Sequence, residues 1–100
     1  MSLKTREMVF VALADTGRRA LLDRLRKRNG QTLGELCEGQ SISRQAVTKH
    51  LTILEQANLV ISQKRGRERI HFLNPVPIHA VAMRWLKLFD ELPLDVLGKD

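Results

Sequence analysis

Ser41-Ile42-Ser43-Arg44-Gln45-Ala46-Val47-Thr48-Lys49-His50-Leu51-Thr52-Ile53-Leu54 is the stretch around which the rest of the 100-residue chain is organised. Read as a helix from Ser43, it places Val47, Leu51 and Leu54 on one stripe at i, i+4, i+7 spacing, with Gln45, Lys49 and Thr52 opposite. The polar side holds Gln, Thr, Lys and Arg and no acid before Glu55. Such side chains hydrogen-bond to base edges and phosphates, so the pattern predicts a helix that reads DNA.

Working backwards, Thr32-Leu33-Gly34-Glu35-Leu36-Cys37-Glu38 offers Thr32 as an N-cap with Glu35 three positions on as its reciprocal partner. This predicts a helix of about two turns ending near Gly39, then a tight turn through Gln40-Ser41-Ile42 into a helix capped by Ser43. Two helices joined by a short turn, the second with a polar outer face, make a helix-turn-helix. Further upstream, residues 3–13 predict a helix with Leu3, Met8, Val11 and Ala12 or Leu13 on a broad apolar face. Asp15 or Thr16 can cap a second helix over about 18–28, with Leu21, Leu22 and Leu25 inward and Asn29-Gly30 as its stop. Its basic face (Arg18, Arg19, Arg24, Arg26, Lys27, Arg28) has two readings, a solvated surface or a phosphate contact, and charge runs on helices favour the first.

Downstream, Asn58 closes the reading helix and the apolar period changes from 3.6 to 2. Residues 59–64 and 69–73 predict two strands, with Ile70 and Phe72 on one face and His71 facing outward. Between them Gly66 can supply the positive φ that a tight hairpin needs. The tip carries Lys64, Arg65, Arg67 and Arg69, a cluster that core packing does not explain but a wing laid on a sugar-phosphate backbone does. Asn74-Pro75-Val76-Pro77 then starts a last helix, closed at Leu92-Pro93. Its residues Ile78, Val81, Ala82, Trp85, Leu88 or Phe89, and Leu92 recur at three- and four-residue steps, and Leu86 widens the stripe. That much apolar surface on an end helix predicts a subunit interface. Residues 94–100 read as a tail without a strong signal.

Composition agrees with this order of elements. The chain has the length of one domain, 1–100, with 43% apolar residues for a core, and its net charge of +6 calls for an anionic partner. Residues 1–31 hold eight basic and three acidic side chains and 43–73 hold six and two, while the other two segments are net negative. Four aromatics and no Tyr are too few for a single-strand stacking platform, which favours a duplex. The one cysteine, Cys37, cannot form an internal disulfide and suits a reducing cytoplasm. The apolar run Met8–Ala14 is only seven residues, Glu7 interrupts its approach and its removal would strip a helix from a small domain, which argues against a signal peptide, and no run is long enough to span a membrane. No carboxylate pair, nucleophile-base grouping or phosphate loop points to an enzyme.

The chain resembles the ArsR family of bacterial winged-helix repressors over nearly its whole length. The resemblance is carried by Ala14-Asp15-Thr16-Gly17-Arg18-Arg19-Ala20-Leu21-Leu22, by Leu33-Gly34-Glu35-Leu36, by residues 43–51, and by Leu54-Glu55-Gln56-Ala57-Asn58-Leu59-Val60. It implies a mostly α fold with a small β-hairpin, a winged helix-turn-helix in the order α-α-α-α-β-β-α. It also implies a homodimer joined through the first and last helices, with Met8, Val11, Ile78, Val81, Trp85 and Phe89 at the interface. Two reading helices in successive major grooves then require half-sites about 34 Å apart on a pseudo-palindrome. On this reading Gln45, Thr48 and Lys49 reach base edges, Ser43, Arg44 and His50 hold the helix start on the backbone, and Lys64, Arg65, Arg67 and Arg69 anchor the wing.

The metal sites for which this family is best known are not matched. A thiolate site on the first helix of the helix-turn-helix needs a second cysteine, and Cys37 is followed by Glu38 and Gly39. A site on the last helix needs paired Asp/His and His/Glu positions, and His79 stands there without such partners. The resemblance is therefore to the branch without metal, controlled by another ligand, by a partner protein or by abundance, and no cofactor is expected. Two alternatives stay open: a metal- or thiol-responsive switch at Cys37, and a protein-interaction module whose last helix docks a foreign partner.

Overall fold

A computed structural model describes residues 2–90 and 92 of the chain. Five helices and a three-stranded antiparallel sheet follow in the order α1 (Leu3–Leu13), α2 (Thr16–Lys27), β1 (Gln31–Thr32), α3 (Leu33–Cys37), α4 (Arg44–Gln56), β2 (Val60–Arg65), β3 (Glu68–Leu73) and α5 (Val76–Asp90). This is a winged helix-turn-helix, mostly helical as expected, with β1 added on the far side of β3 in the order β1-β3-β2. The closing Pro93 and the tail 94–100 lie outside the described residues.

The capping chemistry read from the sequence places the helices. Asp15 accepts from Arg18 N–H to start α2, and Ser43 accepts from Ala46 N–H to start α4. Thr32 and Glu35 form the full reciprocal box at α3. Helix α4 ends with Asn58 at φ 60°, where Leu59 N–H donates to Leu54 O and Asn58 N–H to Glu55 O. That left-handed residue and its two back-donated bonds form a Schellman stop, with Leu54 and Leu59 packed beside it.

The core is one cluster drawn from every layer: Val9, Ala12, Leu21, Leu22, Leu25, Leu36, Val47, Leu51, Leu54, Ala57, Leu59, Val60 and Val81. The inward stripes of α2 and α4 are those predicted. Helix α1 is rotated from the expected face, for it buries Val9 and Ala12 and leaves Leu3 and Val11 exposed.

The hairpin register pairs Arg65 with Glu68 around a two-residue loop, Gly66-Arg67. Gly66 has φ 63° and Arg67 does not have a positive φ, the combination of a type II′ turn whose twist suits a hairpin. Pairing Ser62 with His71 and Val60 with Leu73 turns His71 toward the helices. The expectation that His71 faces outward is thus corrected: its ring is 6% exposed. Helices α3 and α4 pack against the sheet on that side and β1 extends it beside His71, while Ile70 and Phe72 on the other face are only half-buried.

Candidate nucleic-acid interface

The outer side of α4 is a polar surface with no acidic residue in its first eleven positions. Gln45, Thr48 and Lys49 are all exposed there, and together with Ser43, Arg44 and Ala46 they line one shallow depression. The hydroxyl of Thr48 donates to Arg44 O at 3.0 Å and that of Thr52 to Thr48 O at 3.1 Å. With their protons turned back on the helix, both oxygens offer lone pairs outward, the complement of adenine or cytosine amino groups in a major groove. Ser43 Oγ accepts from Ala46 N–H at 3.1 Å, which leaves its own proton free to donate to an anion at the helix start.

Cations flank this face on both sides. Arg44 stands exposed at the start of α4, and Lys64, Arg65, Arg67 and Arg69 are exposed on the hairpin. Among the described residues, none of the five forms an ion pair with an acid. The hairpin cations divide between faces. Register puts Lys64 and Arg69 on the side of His71, with Arg69 Nη1 donating to Ser62 Oγ at 3.0 Å. Arg65 lies on the other side, its guanidinium 5.9 Å from the Phe72 ring centroid.

His50 does not join the polar face. Its Nε2 lies 3.7 Å from Asp15 Oδ2, and a Cβ on Gly17 would come within 2.8 Å of the same nitrogen. The ring is packed against the start of α2, and its Nδ1 is buried with no hydrogen-bond partner among the described residues. The Arg18 backbone N–H, donating to Oδ2 at 3.0 Å, holds the Asp15 carboxyl below the ordinary carboxylate range, and His50 and the Arg18 guanidinium add to this.

The basic face of α2 divides: Arg26 and Lys27 are exposed, as a solvated surface would have them, while the arginines toward α1 and α3 are engaged by the fold. Arg18 donates to Ala12 O and Val11 O, and Arg19 to Leu13 O, closing the C-terminus of α1. Arg24 donates to Glu35 O and Glu38 O at the end of α3, and Arg28 pairs with Glu35. These arginines satisfy carbonyls that a helix end leaves without intrahelical partners.

Helices α1 and α5 together expose a ridge of large apolar side chains. Trp85 is 51% exposed and Phe89 49%, and Trp85 stacks edge-on with both Phe10 and Phe89 at centroid separations of 6.2 and 5.0 Å. Of the residues expected at a subunit interface, Val11, Trp85 and Phe89 lie on this ridge, Val81 is buried within the chain's own core, and Met8 and Ile78 pack against it. Cys37 is half-buried against the same core.

A recognition helix held between an N-cap and a Schellman stop, followed by a cationic hairpin, is the geometry of a regulator's DNA-binding domain. The helix-turn-helix domain family matches residues 13–63. An uncharacterised helix-turn-helix transcriptional regulator of Bacillus subtilis, YuzN, is 39% identical over 88 residues, spanning 82% of this chain and 96% of that protein. A solved ArsR-family transcriptional regulator superposes with a TM-score of 0.78 at 33% identity, covering 88% of this chain and 94% of that one. The chain belongs to the ArsR family. Another similar protein, the transcriptional repressor SdpR of Bacillus subtilis, is 32% identical over 81% of this chain and 88% of its own length. This ArsR-family chain is therefore a DNA-binding transcriptional regulator and not an enzyme. Among its described residues no helix is long and apolar enough to cross a membrane.

Sequence reasoning missed the group formed by His71, Gln31 and Glu55. Both faces of the hairpin carry apolar residues, Val60 and Leu73 on one and Ile61, Ile70 and Phe72 on the other, so alternation alone did not say which side the helices cover. The available signal was the turn, since Gly66-Arg67 as a two-residue loop puts His71 on the face of Val60.

Proposed function

We propose that the protein is a homodimeric, sequence-specific repressor that binds a pseudo-palindromic duplex operator and works without a metal site. The observation that carries this reading is the acid-free face of α4, with exposed Gln45, Thr48 and Lys49, bounded at its start and on the wing by cations that have no acidic partner among the described residues. In the proposed complex Gln45, Thr48 and Lys49 read base edges. Ser43 and Arg44 hold the helix start on phosphates, and Lys64, Arg65, Arg67 and Arg69 hold the wing. His50 acts indirectly, fixing α4 to α2 through Asp15, in place of the backbone contact expected of it.

The dimer rests on the α1/α5 ridge. Leu3, Phe10, Val11, Trp85, Leu88 and Phe89 are each more than a third exposed, a patch that water penalises by roughly 25 cal/mol for each Å² left uncovered. A second copy related by a two-fold axis covers it and spaces two α4 helices for successive major grooves. Repression agrees with what is named for the similar SdpR. Control without metal agrees with the lone thiol at Cys37 and the lone imidazole at His79.

Selection of bound sequences from a random duplex pool at fixed salt tests the proposal. The expected product is a two-fold-symmetric motif with half-sites one helical turn apart. Recovery of asymmetric or unrelated sequences would overturn it. Within the motif, Gln45→Ala should cost about 1–3 kcal/mol at one base position and leave the others unchanged.

A further inference from the structure

A groove of about 380 Å³ separates α4 from the wing, and its floor has chemistry that the DNA reading does not use. His71 lies there, 6% exposed. Its Nδ1 is 3.1 Å from the Gln31 carbonyl oxygen, and a carbonyl only accepts, so Nδ1 carries the ring proton. In the neutral ring Nε2 then presents a lone pair. Glu55 Oε1, a second acceptor when that ring is neutral, lies 3.9 Å from Nε2, beyond hydrogen-bond length.

Two acceptors converge across a gap that one donor group with several hydrogens would close. The α4 wall continues the pattern, because Thr48 and Thr52 have their hydroxyl protons directed to helix carbonyls and offer only lone pairs to the groove. Arg44, Arg67 and Arg69 line the same space together with Glu68, and their three charges outnumber its one carboxylate. Two side-chain ligands, His71 and Glu55, are too few for a tight metal site, and among the described residues no group of three histidine, cysteine or carboxylate side chains is placed to hold a metal ion.

We propose that this groove binds a small zwitterion, with a primary ammonium on the groove side of His71 Nε2 and Glu55 donating to both, and a carboxylate or phosphate held by Arg44, Arg67 and Arg69. An ammonium has three donors and no acceptor, which matches the floor. Because Arg44, Thr48 and Arg67 are also assigned to the duplex, the occupied groove releases DNA. That regulatory half rests on the DNA-binding reading; the binding half does not.

The test titrates the full-length, DNA-free protein with two series, ω-amino carboxylates of three to six carbons and ω-aminoalkyl phosphates of the same lengths. Calorimetry and the ring-nitrogen resonances of His71 follow binding. At least one series should saturate and shift the His71 signals, and the matching amines and acids that lack one charge should bind about tenfold more weakly or worse. Glu55→Gln, which preserves shape, should weaken the zwitterion by about tenfold. Thr52→Val should weaken it less, and both variants should keep the parent's melting temperature within a few degrees. Failure of both series to move the His71 resonances at high millimolar concentration, or unchanged affinity in Glu55→Gln, would overturn the site. Binding with no loss of DNA affinity would overturn the regulatory half alone. If the unliganded protein bound no duplex, the DNA reading would fail instead, and the titration would still decide the groove.

Discussion

Helix α2 and the wing are both rich in arginine, and they use it in opposite ways. On α2, Arg18, Arg19 and Arg24 donate to backbone carbonyls at the ends of α1 and α3, and Arg28 pairs with Glu35. On the wing, Arg65 and Arg67 extend without an acidic partner among the described residues. The guanidinium suits both tasks, since its planar fork of donors matches a pair of carbonyls as well as a phosphate. What separates them is whether the fold has already supplied the acceptor. A formal charge of +6 therefore overstates what is free to bind DNA, and the available part lies on exposed cations such as those of the wing and the start of α4.

The largest effect expected from this contrast is on stability. Arg18→Ala leaves Ala12 O and Val11 O without their charged donor and should cost about 2–3 kcal/mol in denaturant unfolding. A loss within about 0.5 kcal/mol, typical of an exposed position, would mean these bonds contribute little. Arg67→Ala should do the reverse. Its unfolding midpoint should match the parent's, while affinity falls alike for every duplex sequence and the salt slope drops by about 1.

Ser43→Ala comes next, at about 1 kcal/mol of stability from the lost cap at Ala46 N–H, with some added loss of DNA affinity because the helix start frays. Smallest is the response to acid. Asp15 is held below the ordinary carboxylate range chiefly by the Arg18 backbone N–H, and Glu35 chiefly by the Thr32 backbone N–H with Arg28 adding to it. Because both folded values are depressed, their stabilisation is present above the ordinary carboxylate value of about 4 and fades as pH falls through the lower folded values. Melting temperatures taken below about pH 4 should decline less steeply in Asp15→Asn and Glu35→Gln than in the parent.

Local chemistry was readable from the chain alone. The caps at Thr32 and Ser43, the stop at Asn58, the turn at Gly66 and the stripe Val47-Leu51-Leu54 each depend on residues within a few positions of one another and stand where they were expected, and of the two caps open for α2, Asp15 and Thr16, the structure uses Asp15. Long-range partners were not readable. Strand β1 is two residues long and exists because β3 is there to pair with it. His71 is buried because α4 and β1 close over it, and Arg24 finds Glu38 fourteen residues away. In α1, Val9 and Ala12 took the inner face because the ridge of Leu3, Phe10 and Val11 is left for the outside. The candidate site divides in the same way. The reading face of α4 and the wing cations could be named from spacing, whereas the inward turn of His50 onto Asp15 required the packed structure.

The most direct test is the slope of log binding constant against log salt for one operator duplex, measured for the parent, Arg67→Ala and Arg18→Gln at a temperature where all three are folded. The account predicts a slope lower by about 1 for Arg67→Ala and unchanged for Arg18→Gln, since only the wing arginine is free to displace counterions from phosphate. An unchanged slope for Arg67→Ala together with a reduced one for Arg18→Gln would place the duplex against α2 and contradict the account.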